Sequence, residues 1–406
     1  MKNNNSKILE FLHKGLSEKR IRPVKDPFWQ SLAATGTTLW LDTGDMEEAE
    51  ANWTAEMSAL TTNNTLLNNE IQKGIYDDFI AEARSLVTGL PADEQVREIA
   101  FMLNARHGLR LAKRFGGMVS VELHTDTAND IEAIHYYGKR FYEINPEQFI
   151  VKVPYTASGL LGARILRNEG VRINFTLEFS ARENVLVTSI ARPDYLNVFL
   201  GRIGAYISGN KLGDGLGAGE MAVLSSQKWV KKYSSRNPWP TRLIAASLRN
   251  SDQLVLLAGT DVYTMPPKVA AAGRANLDGK FRPMLDEEYP VNISELGEGT
   301  HIENFWGVNR RVIRLADKLA EKLPVNGDEL IERAREAECG DMFPQLSDDE
   351  REAIASDGKI PVFSRWEKRL REGSISPDTL LTLAGLASFT ADQTMLDDRI
   401  RSITGL

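Results

Sequence analysis

The sequence predicts an α/β protein, a closed (β/α)8 barrel with an N-terminal helical lead-in and an α-helical C-terminal extension. Three observations predict this fold. Eight short apolar segments between Thr37 and Met265 alternate with longer amphipathic stretches. Residues 6–19 carry apolar side chains at helical spacing, and the strand-like segments stop at about residue 275.

The eight apolar segments are the candidate strands, and alternation with helical stretches requires parallel strands joined by right-handed crossovers. A doubly wound open sheet is the competing architecture. The chain has no strand followed by G-x-G-x-x-G and no G-x-x-x-x-G-K-[ST] phosphate loop. Eight units therefore favour a closed barrel, with strands in TTLWLDT, SALTT, MVSVELH, QFIVKVPYT, VRINFT, YLNVFLG, RLIAAS and DVYTM.

Three parts of the chain follow from this pattern: a helical lead-in over residues 1–36, the barrel with its closing helices over 37–322, and the extension over 323–406. Ser347 and Ser376, the latter followed by Pro377, are typical of helix starts in the extension. The glycine-rich segment 209–221 has two readings, a phosphate-binding loop or a surface loop.

Composition excludes several classes of protein. The net charge of −7 over 406 residues argues against a general nucleic-acid binder, which needs clustered positive charge. The one cysteine, Cys339, rules out an internal disulfide and a cysteine-rich zinc site. No signal-like segment and no run of eighteen apolar residues occurs, so we expect a cytoplasmic protein without a membrane partner.

Polar residues near the ends of the candidate strands are the ones to examine, because barrel enzymes place their reactive groups there. Lys152 interrupts the apolar run Phe149–Val153. Such a lysine either reaches out at a strand edge or is held in a dry interior, where desolvation creates the neutral amine that attacks a carbonyl. The strand alone does not decide between the two.

The other strand-end residues have complementary chemistry. Asp42 is a candidate proton acceptor or a turn aspartate, and Glu122 with Thr176 is suited to hold a water. Asn63 and Asn174 fit the hydroxyls of a polyol or tie strand ends to loops. Arg202 and Arg249, the latter with Ser247 nearby in sequence, have two interpretations. Their forked cationic groups either bind a phosphate or form surface ion pairs.

Taken in order, the motifs LWLDT, LTTN, VSVE, VKVPYT, N-x-T-x-x-F-S, F-x-G-R-I and SLRN resemble those of the transaldolase family. The resemblance runs from about Thr37 to Val269, with weaker similarity to about Lys322. It implies a class I aldolase mechanism without metal or organic cofactor. In that mechanism Lys152 forms the Schiff base, Asp42 accepts the C4 hydroxyl proton, and Glu122 with Thr176 serves the water steps.

The resemblance also implies the substrates. A dihydroxyacetone unit passes from fructose 6-phosphate or sedoheptulose 7-phosphate to an aldose phosphate, erythrose 4-phosphate or glyceraldehyde 3-phosphate, in the non-oxidative pentose phosphate pathway. Sugar phosphates are thus the expected partners, and a homo-oligomer is compatible with the sequence. The implied substrate-binding residues are Asn63 and Asn174 for the three-carbon unit, Arg202, Ser247 and Arg249 for the phosphate, and Asn197, Phe199 and Ser180 nearby.

Four positions bear on substrate choice. Asn64 stands where the family usually has proline, Asn197 where a serine is expected, and Glu178 at a usually apolar place. Phe199 lacks the phenol of the related fructose 6-phosphate aldolases, which favours transfer over aldol cleavage. The alternatives are a Schiff-base aldolase or transaldolase for a modified, for example sulfonated, sugar, and a noncatalytic sugar-phosphate-binding scaffold.

Overall fold

The computed structural model describes residues 2–406, with side chains from residue 5 onward. Eight parallel strands close into one barrel in sequence order, and the first strand pairs with the last. The predicted (β/α)8 barrel, the TIM-barrel fold, is confirmed together with its helical C-terminal region. The strands are β1 (Thr38–Asp42), β2 (Met57–Thr61), β3 (Met118–Glu122), β4 (Phe149–Pro154), β5 (Ile173–Thr176), β6 (Tyr195–Phe199), β7 (Arg242–Ala246) and β8 (Val262–Met265).

Helices surround the barrel and continue beyond it. Those up to the last strand are α1 (Lys2–His13), α2 (Pro27–Ala33), α3 (Met46–Asn52), α4 (Asn64–Gln72), α5 (Asp77–Val87), α6 (Ala92–Phe115), α7 (Ile131–Ile144), α8 (Ala157–Asn168), α9 (Ala181–Ile190), α10 (Leu200–Gly209), α11 (Ala218–Ser234) and α12 (Asp252–Leu256). After β8 come α13 (Pro267–Asn276), α14 (Arg310–Glu321), α15 (Gly327–Glu336), α16 (Asp348–Asp357), α17 (Phe363–Arg371) and α18 (Pro377–Thr404). Short 3₁₀ turns occupy Thr125–Thr127, Ile302–Phe305 and Gly340–Met342.

The strands are short runs of apolar and β-branched residues whose side chains are almost all buried. A strand buried on both faces reads as a continuous apolar run, so the few polar residues inside these runs stand out. Where the carboxyl ends of the eight strands meet, they form an open end that we call the barrel mouth.

The lead-in packs along α6 through its main chain. Arg106 of α6 donates to the carbonyl of Leu12 at 2.7 Å, and the Ile21 amide donates to the carbonyl of Arg114 at 2.9 Å. Along this edge the helix side chains satisfy carbonyl groups that would otherwise be left without partners.

Buried ion pairs attach the extension to the barrel. The guanidinium of Arg182, in α9, donates to Asp378 of α18 at 2.6 Å and to Asp341 at 2.7 Å. Both predicted serine starts are confirmed: Ser347 forms a capping box at α16, and Ser376 is the N-cap of α18 with Pro377 at the first position.

The glycine-rich segment packs against the chain near residue 290. Gly213 forms an isolated antiparallel bridge with Ile293. Gly217 has φ +73°, and a Cβ there would lie 2.4 Å from the Pro290 carbonyl oxygen. Close backbone contact therefore accounts for these glycines. Across residues 2–406, no helix combines the length and apolar character needed to cross a membrane.

Candidate active site

Three predicted site residues lie at one level of the barrel. Glu122 of β3 is paired in register with Lys152 of β4, and Lys152 is paired with Asn174 of β5. Residues in register on neighbouring parallel strands have side chains on the same side of the sheet. All three are buried, so the polar groups of three separate sequence motifs meet at the mouth.

Lys152 is not an edge lysine. The residue is 3% exposed, and its Nζ donates to the carbonyl of Thr62 at 3.2 Å. The same Nζ lies 3.2 Å from Oε2 of Glu122. The amine is therefore held in the interior between strands β2 and β3, which is the setting that a nucleophilic lysine requires.

Two carboxyl groups at the mouth have perturbed acidity. Burial raises the pKa of Glu122 above its ordinary value, although the positive charge of Lys152 opposes the rise. Desolvation likewise raises the pKa of Asp42, against a hydrogen bond that Thr61 Oγ1 donates to Asp42 Oδ1 at 2.6 Å. Raised values bring such groups closer to the pH at which they exchange protons during a reaction.

Two buried amides are joined beside the lysine. Asn197 donates from Nδ2 to Oδ1 of Asn174 at 2.8 Å, and Asn174 donates from its own Nδ2 to the Ser120 hydroxyl at 3.0 Å. Asn63 lies apart from this pair: it is the N-cap of α4, and its Oδ1 accepts from the Leu66 amide at 2.9 Å.

The hydroxyl residues of β5 and α9 have different settings. Thr176 is fully buried at the end of β5, and its Oγ1 has no hydrogen-bond partner within the described part of the chain. Ser180 caps α9 in a reciprocal capping box with Glu183. Its hydroxyl is therefore engaged with its own helix, and its contact with a substrate stays a prediction.

The predicted phosphate ligands come together from the first turn of α10, which carries Arg202, and from the loop after β7, which carries Ser247 and Arg249. A Cβ on Gly201 would lie 2.2 Å from the Ser247 carbonyl oxygen and 2.5 Å from Arg249 Nε, so only glycine lets the start of α10 approach the loop after β7. Ser247 itself has φ +64°. Such a left-handed conformation costs energy in a non-glycine residue and is common at functional sites.

Two cations at this place lack carboxylate partners. Neither Arg202 nor Arg249 forms an ion pair within residues 5–406, so the surface ion-pair reading is wrong for the structure described. Burial, with the nearby charge of Arg249, lowers the pKa of Arg202 to about 10. Two like charges that lie close together and form no direct ion pair are suited to receive an anion.

Three residues of the extension belong to this site and were not predicted. The ring of Phe389 in α18 has its centroid 5.8 Å from Lys152 Nζ and 5.6 Å from Arg202 Cζ. Asp392 adds negative charge near Arg202. Burial and the charges of Arg202 and Arg249 lower the pKa of Lys359. No local motif marks these residues, because their proximity depends on how the extension folds back.

Three of the positions that bear on substrate choice have defined structural settings. Asn64 is buried and donates from Nδ2 to Oε1 of Gln393 in α18 at 2.7 Å, so it attaches the extension. Burial raises the pKa of Glu178 well above its ordinary value. Phe199 packs against Phe179 with ring centroids 5.7 Å apart and lies 5.4 Å from Arg202 Cζ.

The fold and the site define a (β/α)8-barrel enzyme with a buried lysine at the mouth of its barrel. Residues 39–302 match the family described as Transaldolase/Fructose-6-phosphate aldolase. Similar curated proteins include a transaldolase from Prochlorococcus marinus (strain MIT 9312), 27% identical over 308 residues, which are 71% of this chain and 86% of the relative. A Chlamydia muridarum transaldolase is 26% identical over 267 residues, covering 62% of this chain and 81% of the relative.

A probable transaldolase from Dictyostelium discoideum is 25% identical over 284 residues, covering 67% of this chain and 87% of the relative. The family match alone spans well over half of the chain. The chain therefore belongs to the transaldolase/fructose-6-phosphate aldolase family, and it is an enzyme. The match ends at residue 302, before α14–α18.

Proposed function

We propose that this chain is a transaldolase that carries a dihydroxyacetone unit from a ketose phosphate to an aldose phosphate through a Schiff base on Lys152. The expected donors are fructose 6-phosphate and sedoheptulose 7-phosphate, within the non-oxidative pentose phosphate pathway. One observation carries the proposal: the Lys152 amine is buried at the barrel mouth, 3.2 Å from the carboxylate of Glu122.

The first steps form the imine. The Lys152 nitrogen adds to the ketone carbon, and the carbonyl oxygen leaves as water after it has taken up protons. A carboxyl group with a raised pKa is suited to give and take those protons, and Glu122 is within contact of the amine. The unpartnered hydroxyl of Thr176 is available to hold the water that leaves and returns.

Carbon–carbon cleavage follows. Asp42 takes the proton of the C4 hydroxyl, the bond between C3 and C4 breaks, and its electron pair moves to the iminium nitrogen. The aldose departs and an enamine of dihydroxyacetone stays on Lys152. The enamine carbon then bonds to the aldehyde carbon of the acceptor, whose oxygen takes the proton back from Asp42.

The remaining residues have proposed binding roles. Asn174 and Asn197 form a buried amide pair beside Lys152, suited to the hydroxyls of the three-carbon unit. Asn63, the N-cap of α4 just after β2, is assigned to the same unit by the family resemblance. Arg202, Ser247 and Arg249 form the proposed phosphate site, and Phe199 lines it. Cytoplasmic location and self-association stay predictions from the sequence.

Borohydride trapping tests the proposal directly. Reduction in the presence of fructose 6-phosphate should leave a dihydroxyacetone-derived adduct on the peptide that contains Lys152, identified by mass spectrometry. Lys152→Ala should lose both the adduct and turnover, while Lys139→Ala, which removes an exposed lysine of α7, should keep both. An adduct on another lysine, or none with any sugar phosphate, would refute the proposed role of Lys152.

A second substrate class is favoured by Asn197, because an amide stands beside Asn174 where the family usually has a serine hydroxyl. An aldolase or transaldolase for a modified sugar, such as a sulfonated one, is the resulting alternative. A panel of phosphorylated and sulfonated ketoses with erythrose 4-phosphate as acceptor separates the two. Faster turnover of a sulfonated donor would replace the pentose phosphate assignment and leave the Schiff-base chemistry in place.

A further inference from the structure

The last helix of the extension crosses the barrel mouth. Thr382, near the start of α18, donates to the carbonyl of Leu177, just after β5, at 2.8 Å. Further along the helix, Gln393 accepts from Asn64, at the start of α4 after β2, at 2.7 Å. Because β2 and β5 lie on different sides of the barrel, the middle of α18 must pass over the interior of the mouth.

Phe389 lies in that middle part. It is 1% exposed, and its ring centroid is 5.8 Å from Lys152 Nζ and 5.6 Å from Arg202 Cζ. The ring therefore adjoins both the proposed nucleophile and one proposed phosphate ligand. Both contacts are within the range over which a cation is attracted to an aromatic ring.

The helix comes close to side chains of the barrel at Gly385. Gly385 lies one helical turn before Phe389, on the same face. A Cβ on Gly385 would lie 2.8 Å from Cδ2 of Leu177 and 3.1 Å from Nη1 of Arg202. A larger residue would have to displace these two side chains, so the glycine leaves room for Leu177 and Arg202 beneath the helix.

We propose that Phe389 is a positioning residue that covers the Lys152 amine, orients Arg202, and keeps water from the covalent intermediate until an aldose acceptor binds. This inference rests on the proposed function and extends it to the extension, which the family match does not reach. It assigns to α18 the control of the choice between transfer and hydrolysis.

The two competing steps differ in what attacks. In hydrolysis the enamine is first protonated on carbon, water adds to the imine carbon, the carbon–nitrogen bond breaks, and free dihydroxyacetone leaves the lysine amine. In transfer the enamine carbon bonds to the aldehyde carbon of the acceptor. An apolar ring beside the nitrogen slows the first reaction by excluding water and leaves the second open to a bound sugar.

The test compares three variants of the full chain: Phe389→Ala, Phe389→Leu and, as matched control, Leu396→Ala. Leu396 is another fully buried apolar residue of α18, so its truncation loosens the same helix elsewhere. Two ratios are measured. The first compares the rate of dihydroxyacetone release from fructose 6-phosphate alone with the rate of transfer to erythrose 4-phosphate. The second compares the change in the donor KM with the change in kcat.

For Phe389→Ala we expect the ratio of release to transfer to rise at least tenfold and the donor KM to rise. Phe389→Leu should fall between this variant and the parent. Leu396→Ala should stay within about twofold of the parent. A slower Phe389→Ala enzyme whose ratio is unchanged would overturn the proposal, since loss of packing alone would explain it.

A second measurement needs no sugar turnover. Labelling of Lys152 by pyridoxal 5′-phosphate followed by borohydride reports how open the amine is. We expect labelling at least tenfold faster in Phe389→Ala and close to the parent rate in Leu396→Ala. Faster labelling without any sugar adduct in the parent enzyme would refute the proposed function and retain the cover, whereas unchanged labelling would refute the cover itself.

Discussion

Lys152 Nζ and Glu122 Oε2 lie 3.2 Å apart on adjacent strands, and both side chains are buried. A buried pair of this kind is stable only while both partners are present, because each charge loses its water. In the proposed mechanism, imine formation changes the nitrogen that Glu122 faces. The same carboxyl group would then contact the amine, the carbinolamine and the imine in turn.

Glu122→Gln should slow turnover about 10²–10⁴-fold, the usual effect of losing a positioned proton-transfer group. The amide has nearly the same shape but cannot exchange the protons that dehydration and hydrolysis need. Steady-state transfer assays measure the loss. Borohydride should still trap an adduct on Lys152, formed more slowly. Full activity of the variant would show that Glu122 is only a structural partner of the lysine.

The raised pKa of Asp42 predicts how the reaction rate depends on pH. Desolvation raises its pKa, and the Thr61 hydrogen bond at 2.6 Å opposes the rise. In the proposed mechanism only the ionised carboxylate accepts the C4 hydroxyl proton, so kcat/KM should fall as the pH falls through this raised value. Thr61→Val removes the opposing bond and should move the acidic limb of the pH–rate profile to higher pH. Ser58→Ala, a hydroxyl lost nearer the start of the same strand, should leave the limb unmoved. A shift of the Thr61→Val limb towards lower pH would contradict the assignment.

Docking of α18 predicts a stability effect at Asn64. Asn64→Ala leaves the buried Gln393 oxygen without its donor, which should cost about 1–3 kcal/mol of unfolding free energy. Asn64→Pro restores the usual family residue at the first position of α4, where proline is tolerated, and should cost a similar amount. Urea unfolding measures both. Asn69→Ala, on the exposed face of α4, should keep the unfolding free energy within about 0.5 kcal/mol of the parent value. Equal losses of stability at Asn64 and Asn69 would argue against the docking role of Asn64.

The burial of His107 predicts that the folded protein loses stability at acidic pH. Burial, with the charge of Arg110, lowers its pKa to about 3, and Nδ1 lies 2.8 Å from the Tyr76 hydroxyl. A depressed folded-state pKa means that the unfolded chain binds the extra proton, so this contribution is present above about pH 6.5 and declines as the pH falls towards 3.

The slope from one such group is about 1.4 kcal/mol per pH unit. The free energy of unfolding, measured with urea between pH 7 and 4.5, should therefore fall less steeply with falling pH for His107→Gln than for the parent. His135→Gln, which changes a half-buried histidine of α7 paired with Glu169, should keep the parent slope. An unchanged slope in the His107 variant would place the acid sensitivity elsewhere.

The barrel was predictable because strand-like apolar segments alternate regularly with helical segments along the chain. β-branched and apolar runs mark the strands, and a lysine or glutamate within such a run stands out, as at Lys152 and Glu122. The resemblance then selected one pattern of roles for those residues. Register between strands, which brings Glu122, Lys152 and Asn174 to one level, confirms that they are neighbours and leaves their chemistry as a proposal.

Residues of the extension were not predictable. Phe389 reads as an ordinary buried residue of a helix, and Lys359 as a solvated charge, because their partners are distant in sequence. Asn64 looked like a departure bearing on substrate choice, and its hydrogen bond to Gln393 instead links the mouth to α18. Tertiary contacts of this kind leave no periodic signal in a single sequence.

The contact between Asn64 and Gln393 joins positions 329 residues apart. Contacts of such long sequence separation form late, because the loop that they close is costly in entropy. Synthesis also releases the strands before α18. On the proposal that α18 covers the Lys152 amine, a newly made barrel passes through a stage in which Lys152 is in place but uncovered, and its amine is then exposed to carbonyl compounds until folding ends.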